Sequence, residues 1–138
     1  MLDLHPLIPN ARGNYDALLE QVWGRGKDGK GPLEEVDDSQ LRTAIDLMEE
    51  VLNALDPRRG KVLRLRYGLI DGRRRAQAAV GRELGLSGTR IGQIEHSAIR
   101  FLIGPTASRR LKQAVFPTLD TLGLSVFDDL FNKFFPQS

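Results

Sequence analysis

From Asp38 onward the apolar residues Leu41, Ile45, Met48, Val51, Leu52 and Leu55 recur at steps of three and four. That spacing lays one apolar stripe along a helix of about four turns, with Asp38 or Ser39 placed to cap its start. Asp56 then restarts the chain as an N-cap, with Pro57 at the first helical position, where its missing N–H costs nothing. Val62, Leu63 and Tyr67 supply the inward face, and Gly68 closes the helix. "IDGRRR" is an exposed basic turn before a helix at about Ala76–Leu84, which Gly85 ends. Ser87 caps the next helix, where Ile91, Ile94, Ala98 and Leu102 share one side with Ile99 beside them, until Gly104–Pro105 stops it. A short helix at Ser108–Val115 precedes a last one from near Ser125, lined by Phe127, Leu130, Phe131, Phe134 and Phe135. Upstream, a short helix around Tyr15–Trp23 leads into "GRGKDGKGP", whose glycines and lysines read as a linker.

The pattern therefore predicts an all-α fold: a loosely organised arm and linker over 1–37, a helical domain over 38–115, and a Phe-rich amphipathic tail over 116–138. Within the domain, residues 77–96 meet the demands of a helix-turn-helix. Gly81 is the small residue at the close crossing, Gly85 the turn, and Val80, Leu84, Leu86, Ile91 and Ile94 the set that locks the two helices.

Charge adds a direction to this scaffold. The net charge is only +2, yet residues 1–50 hold five Lys/Arg against eleven Asp/Glu, whereas residues 57–115 hold fourteen against three. A basic block of that density is the footprint of a polyanion partner or of a solvated basic face. With no cysteine, disulfides, thiolate metal sites and cysteine nucleophiles are excluded. "MLDLHPLIPN" has no basic start before an apolar run, and no apolar stretch approaches the roughly 18 residues of a membrane span. The expectation is a cytoplasmic protein without membrane contact. His5 and His96 lie far apart with no ligand spacing around them, so neither a metal nor another cofactor is expected. Glu83 and Glu95 suit pairing with neighbouring arginines better than acid–base chemistry, and no enzyme is expected.

The stretch from Leu55 to about Lys112, with "KVLRLRYGL" (Lys61–Leu69), "VGRELGLS" (Val80–Ser87) and "RIGQIEHSAIR" (Arg90–Arg100), resembles region 4 of the primary bacterial sigma factors. The acidic segment ahead of it resembles the linker and helix leading into that region. The resemblance implies a helix-turn-helix that reads a −35-like promoter element in double-stranded DNA. It also implies a clasp on the β flap of the RNA polymerase core, through the apolar concave side formed by helices around Val62–Leu69 and Ile91–Leu102. The face it sets toward the bases comprises Ser87, Gly88, Thr89, Arg90, Gln93 and His96, and it assigns Arg58, Arg66 and Arg82 to DNA phosphates. Arg73 and Arg74 in the basic turn suit phosphates or solvent.

Departures from the family pattern fall on the reading face. Where relatives carry an Arg and then a Glu on base edges, this chain has Gly88 and Thr89, and Gly92 replaces another Arg. A bidentate Arg–guanine pair is worth about 1–3 kcal/mol of discrimination, which glycine cannot supply. A phosphate-binding Thr of the relatives is Ala76, and two acidic residues are Ala78 and Ala79. The expected function is a sigma-like transcription protein on bacterial RNA polymerase, with weak and poorly discriminating DNA contact. The family's aromatic promoter-melting region has no counterpart in the first third of the chain, so a role in transcription would need polymerase, another sigma-like chain or a separate regulator. The alternative is a sigma-derived interaction module that no longer reads DNA specifically. In that case the stripe of Phe127, Leu130, Phe131, Phe134 and Phe135 lies in a partner's groove; otherwise it folds back on its own domain.

Overall fold

Six helices follow one another along the described residues, 7–115 with Lys133, of the computed structural model. They are α1 (Ala11–Trp23), α2 (Asp38–Asn53), α3 (Pro57–Arg66), α4 (Gln77–Leu84), α5 (Gly88–Ile103) and α6 (Pro105–Val115). No strand occurs among the described residues, so the fold is all-α as the periodicity predicts. The Phe-rich stripe, its expected helix from Ser125, and His5 lie outside the described residues.

Local chemistry sets most of the helix ends. The Asp56 carboxylate accepts from the Arg59 N–H at 3.2 Å, and the Ser87 hydroxyl from the Arg90 N–H at 3.0 Å, each satisfying one of the donors left open at a helix start. Two boundaries differ from expectation. The cap of α2 is Asp37, whose Oδ1 accepts from the Gln40 N–H at 2.8 Å, while Asp38 inside the first turn accepts from Arg12 at 3.1 Å. Helix α6 begins at Pro105 rather than Ser108, because a proline that cannot continue α5 is also well suited to the first position of the next helix.

The buried residues form two clusters. The smaller holds Val62 and Leu65 of α3, Val80 of α4, and Ile91 and Ile94 of α5, with Leu84 and Leu86 against it. The larger joins α1, α2 and α6 to the opposite sides of α3 and α5: Leu18, Leu19, Met48, Leu52, Leu63, Ala98, Leu102 and Leu111 are all essentially closed to solvent. Helix α1 thus belongs to the main core. Its Leu18, Leu19, Tyr15 and Trp23 are buried, and Leu33 from the glycine-rich segment is fully buried beside them.

Polar contacts fasten that segment more tightly than its composition suggests. The Leu33 N–H donates to Asp16 Oδ1 at 2.7 Å, and the Leu33 carbonyl accepts from Arg12 at 2.7 Å. Asn14, buried on α1, donates through Nδ2 to the carbonyls of Gly68 (3.2 Å) and Gly72 (3.1 Å) and accepts from Arg74 Nε at 2.7 Å. At Gly72 the backbone has φ +83°, and a Cβ would stand 2.4 Å from the Pro9 carbonyl, so only glycine permits this approach. A second relay runs from the Tyr15 hydroxyl to Glu49 (2.6 Å) and from Arg64 to the same carboxylate (2.9 Å), linking α1, α2 and α3. Asn14→Ala leaves buried polar groups short of partners, so we expect a loss of about 1–3 kcal/mol in urea unfolding. An unchanged midpoint would contradict the role given to Asn14 in docking α1.

Candidate nucleic-acid interface

The turn between α4 and α5 is built from glycines and one hydroxyl. A Cβ at Gly81 would lie 2.4 Å from the Leu86 carbonyl, so the absence of a side chain is what lets the turn close against α4. Gly85 takes φ +71°, a left-handed conformation that L side chains rarely adopt, and Ser87 then caps α5. Val80 and Ile91 are fully buried, which holds the exposed face of α5 in a fixed direction.

Beneath that face lies a buried carboxylate. Glu95 accepts from Arg66 Nε at 2.8 Å, from the Tyr67 hydroxyl at 2.9 Å and from Gln77 Nε2 at 3.3 Å. Burial alone would raise its pKa, but these hydrogen bonds outweigh it and hold the carboxyl below the usual range. Tyr67 is pushed the other way by burial and by the adjacent carboxylate, so its phenol stays neutral and donates. Glu83, the other carboxylate near the turn, accepts from Arg75 at 3.0 Å. Both glutamates are engaged by arginines, the pairing their surroundings suggested.

Of the expected base-facing residues, Ser87, Thr89, Arg90, Gln93 and His96 are exposed and Gly88 is half-buried. Ser87 Oγ is used as the cap, and Arg90 donates to Gln93 Oε1 at 3.3 Å, so two of the residues expected to face bases bind each other. A Cβ at Gly88 would meet Ala78 at 3.4 Å, an ordinary contact, so packing does not demand glycine there. At Gly92 a Cβ would meet Gln77 Nε2 at 3.1 Å, and α4 rather than α5 fills that space.

The expected phosphate set divides in two. Arg58, Arg73 and Arg82 are exposed and their side chains hold no ion pair among the described residues. Arg66 and Arg74 are engaged internally: Arg66 with Glu95 and with the Arg75 carbonyl (2.6 Å), Arg74 with Asn14 and with the Gly13 carbonyl (2.9 Å). Sequence reasoning missed Gln77 and Asn14, since both are uncharged and act through partners far along the chain, Glu95 for Gln77 and Gly68, Gly72 and Arg74 for Asn14.

The apolar side proposed for a flap contact is not open. Val62, Leu65, Ile91 and Ile94 pack inside the helix-turn-helix, while Leu63, Tyr67, Leu69, Ala98 and Leu102 are buried in the cluster that α1, α2 and α6 complete. The periodicity correctly marked these residues as apolar faces, but α1, α2 and α6 close over the side that the sequence left open. Among the described residues, no helix is long and apolar enough to cross a membrane, and no group of three or more His, Cys, Asp or Glu is placed to hold a metal ion.

Residues 51–102 match the family described as Sigma-70, region 4. The chain is 45% identical over 76 residues to the RNA polymerase sigma factor SigA of Clostridium acetobutylicum, covering 55% of this chain and 20% of that protein. It is 41% identical over 88 residues to SigA of Microcystis aeruginosa and, equally, to SigA of Synechocystis, in each case 64% of this chain and 20% of the relative. The chain thus spans about a fifth of the length of the sigma factors it matches. The helices around the turn form a sigma region 4-like helix-turn-helix, and α1, the glycine-rich segment and α6 lie outside the matched family segment.

Removing the carboxylate in Glu95→Ala strands Arg66 and the Tyr67 hydroxyl, and we expect it to cost about 2–4 kcal/mol at neutral pH. Because the folded pKa of Glu95 is depressed, its contribution is complete above the unfolded value of about 4.3 and is lost as pH falls through the lower folded value. Urea midpoints of wild type and Glu95→Ala should therefore differ widely at pH 7 and converge as the solution is acidified below pH 4. A gap that stays constant with pH would argue against the pairing.

Proposed function

From the likeness of residues 51–102 to sigma region 4, we propose that this protein is a sigma-like transcription protein. It contacts promoter DNA with α5 and acts together with bacterial RNA polymerase. The observation that carries the reading is the exposed polar stripe of Thr89, Arg90, Gln93 and His96 on a firmly seated α5, accompanied by Arg58, Arg73 and Arg82, which hold no ion pair among the described residues. A helix presented in this way fits the major groove, and cations beside it give affinity and register without sequence information. Gly88 and Gly92 remove long side chains from the same stripe, so discrimination between base sequences is weak. The activity belongs to the cytoplasm of a bacterium and needs no cofactor or catalytic group.

A second reading is favoured by the internal engagement of Arg66 and Arg74, which withdraws two of the five cations assigned to phosphates. In that reading the helix-turn-helix is a protein-interaction module on polymerase, its β flap, or another sigma-like regulator, with the Phe-rich tail as a further contact. Helix α1 bears on both readings. A flap contact through the face of Leu63 and Leu102 requires the helices that complete their cluster, α1, α2 and α6, to open.

Anisotropy titrations with a −35-like duplex and a scrambled duplex, repeated from 50 to 200 mM salt, test the DNA reading. We expect affinities for the two duplexes that differ by no more than about tenfold and a steep loss with salt; Arg58→Ala/Arg82→Ala should flatten the log–log salt slope by about 1.8, roughly 0.9 per lost phosphate contact. Gly88→Arg should fold normally and tighten binding to guanine-containing duplexes. Retention on core polymerase without any duplex binding at 50 mM salt would instead select the interaction module.

A further inference from the structure

The space beside Gly92 is taken by a side chain from the other helix. An added Cβ there would meet Gln77 Nε2 at 3.1 Å, Oε1 at 3.3 Å and Cδ at 3.4 Å, so the amide of Gln77 lies across the backbone of α5 at this position. Gly92 stands one turn after Gly88 and one turn before His96, on the stripe that α5 presents outward. Gln77 itself is exposed, at the first position of α4, and its neighbours Ala76 and Ala78 are exposed residues too short to compete for the same ground.

We propose that Gln77 is a base-reading residue that occupies the place left by Gly92, and that it selects adenine. The assignment rests on the reading that α5 enters DNA. Its chemistry follows from the amide's one internal bond. Gln77 Nε2 donates to Glu95 Oε1 at 3.3 Å, and the ionised carboxylate can only accept, so the nitrogen end of the amide is held toward Glu95. One N–H is used there. The second N–H and the carbonyl oxygen remain, a donor beside an acceptor, which matches the N7 acceptor and N6 donor of adenine in the major groove. Glu95 is in turn fixed by Arg66 and Tyr67, so the reading amide is oriented by a buried network and loses little freedom on binding. The chain thereby replaces a long side chain on the recognition helix with a glutamine from the helix before it.

The test is a binding selection by the full chain from 30-bp duplexes with a randomised centre, compared with Gln77→Leu and with Gln77→Ala/Gly92→Arg. Wild type should enrich adenine at one position; Gln77→Leu should lower that enrichment roughly tenfold while preferences elsewhere persist. The double variant, with a guanidinium in the vacated space, should move the preferred base at that position to guanine. Gln77→Met, which keeps length and removes the amide, gives the same comparison should the leucine variant unfold. Identical pools for wild type and Gln77→Leu, or a flat pool from a wild type that binds duplexes well, overturn the assignment alone. A wild type that binds no duplex removes the DNA reading and the assignment together.

Discussion

A carboxylate buried inside a small helical protein stays ionised only where hydrogen-bond donors or cations replace its water; without them it takes up a proton or destabilises the region around it. Glu95 finds three, and they come from the two elements that α5 must be positioned against: Arg66 at the end of α3, Tyr67 just beyond it, and Gln77 at the start of α4. Tyr67 belongs to the main core, whereas Ile94 beside Glu95 belongs to the helix-turn-helix core. The network therefore joins the two clusters at the base of the exposed stripe. Apolar packing alone would tolerate small slides of α5 along α3; a carboxylate with three donors at 2.8–3.3 Å does not.

Helix α1 changes what the surface of this scaffold can do. Together with α2 and α6 it closes the cluster that holds Leu63, Tyr67, Ala98 and Leu102, and by drawing Arg74 onto Asn14 it withdraws one cation from the basic turn. The acidic first third of the chain and the basic middle are thus joined by specific pairs as well as by overall charge: Arg64 with Glu49 and Arg110 with Glu50. Of the arginines expected on phosphates, Arg58, Arg73 and Arg82 stay outward and hold no ion pair among the described residues.

Much of the fold was legible because its signals are local. Asp56, Pro57, Gly68, Gly85 and Ser87 act through backbone geometry within one turn of themselves, and each sits at the helix end it was read to mark. Gly81 was legible because helix-turn-helix geometry demands a small residue there, and a Cβ would in fact overlap the Leu86 carbonyl. The glycine-rich segment was less so. Its composition favours a linker, yet Leu33 is held at both its N–H and its carbonyl by α1 side chains more than fifteen residues away. Among the arginines, sequence could count charges but could not separate Arg66 and Arg74, which are bound inward, from Arg58 and Arg82.

The sequence by itself determined the helices, their caps, the close crossing at Gly81 and the loss of long side chains at Gly88 and Gly92, since all of these depend on neighbours within a few positions. Tertiary structure decided that the apolar face of α3 and α5 is closed, which arginines are bound inward, and that Gln77 lies over Gly92. Those outcomes depend on pairs far apart along the chain, such as Asn14 with Gly72 and Gln77 with Glu95, and burial and hydrogen-bond satisfaction can select them only after the helices have packed.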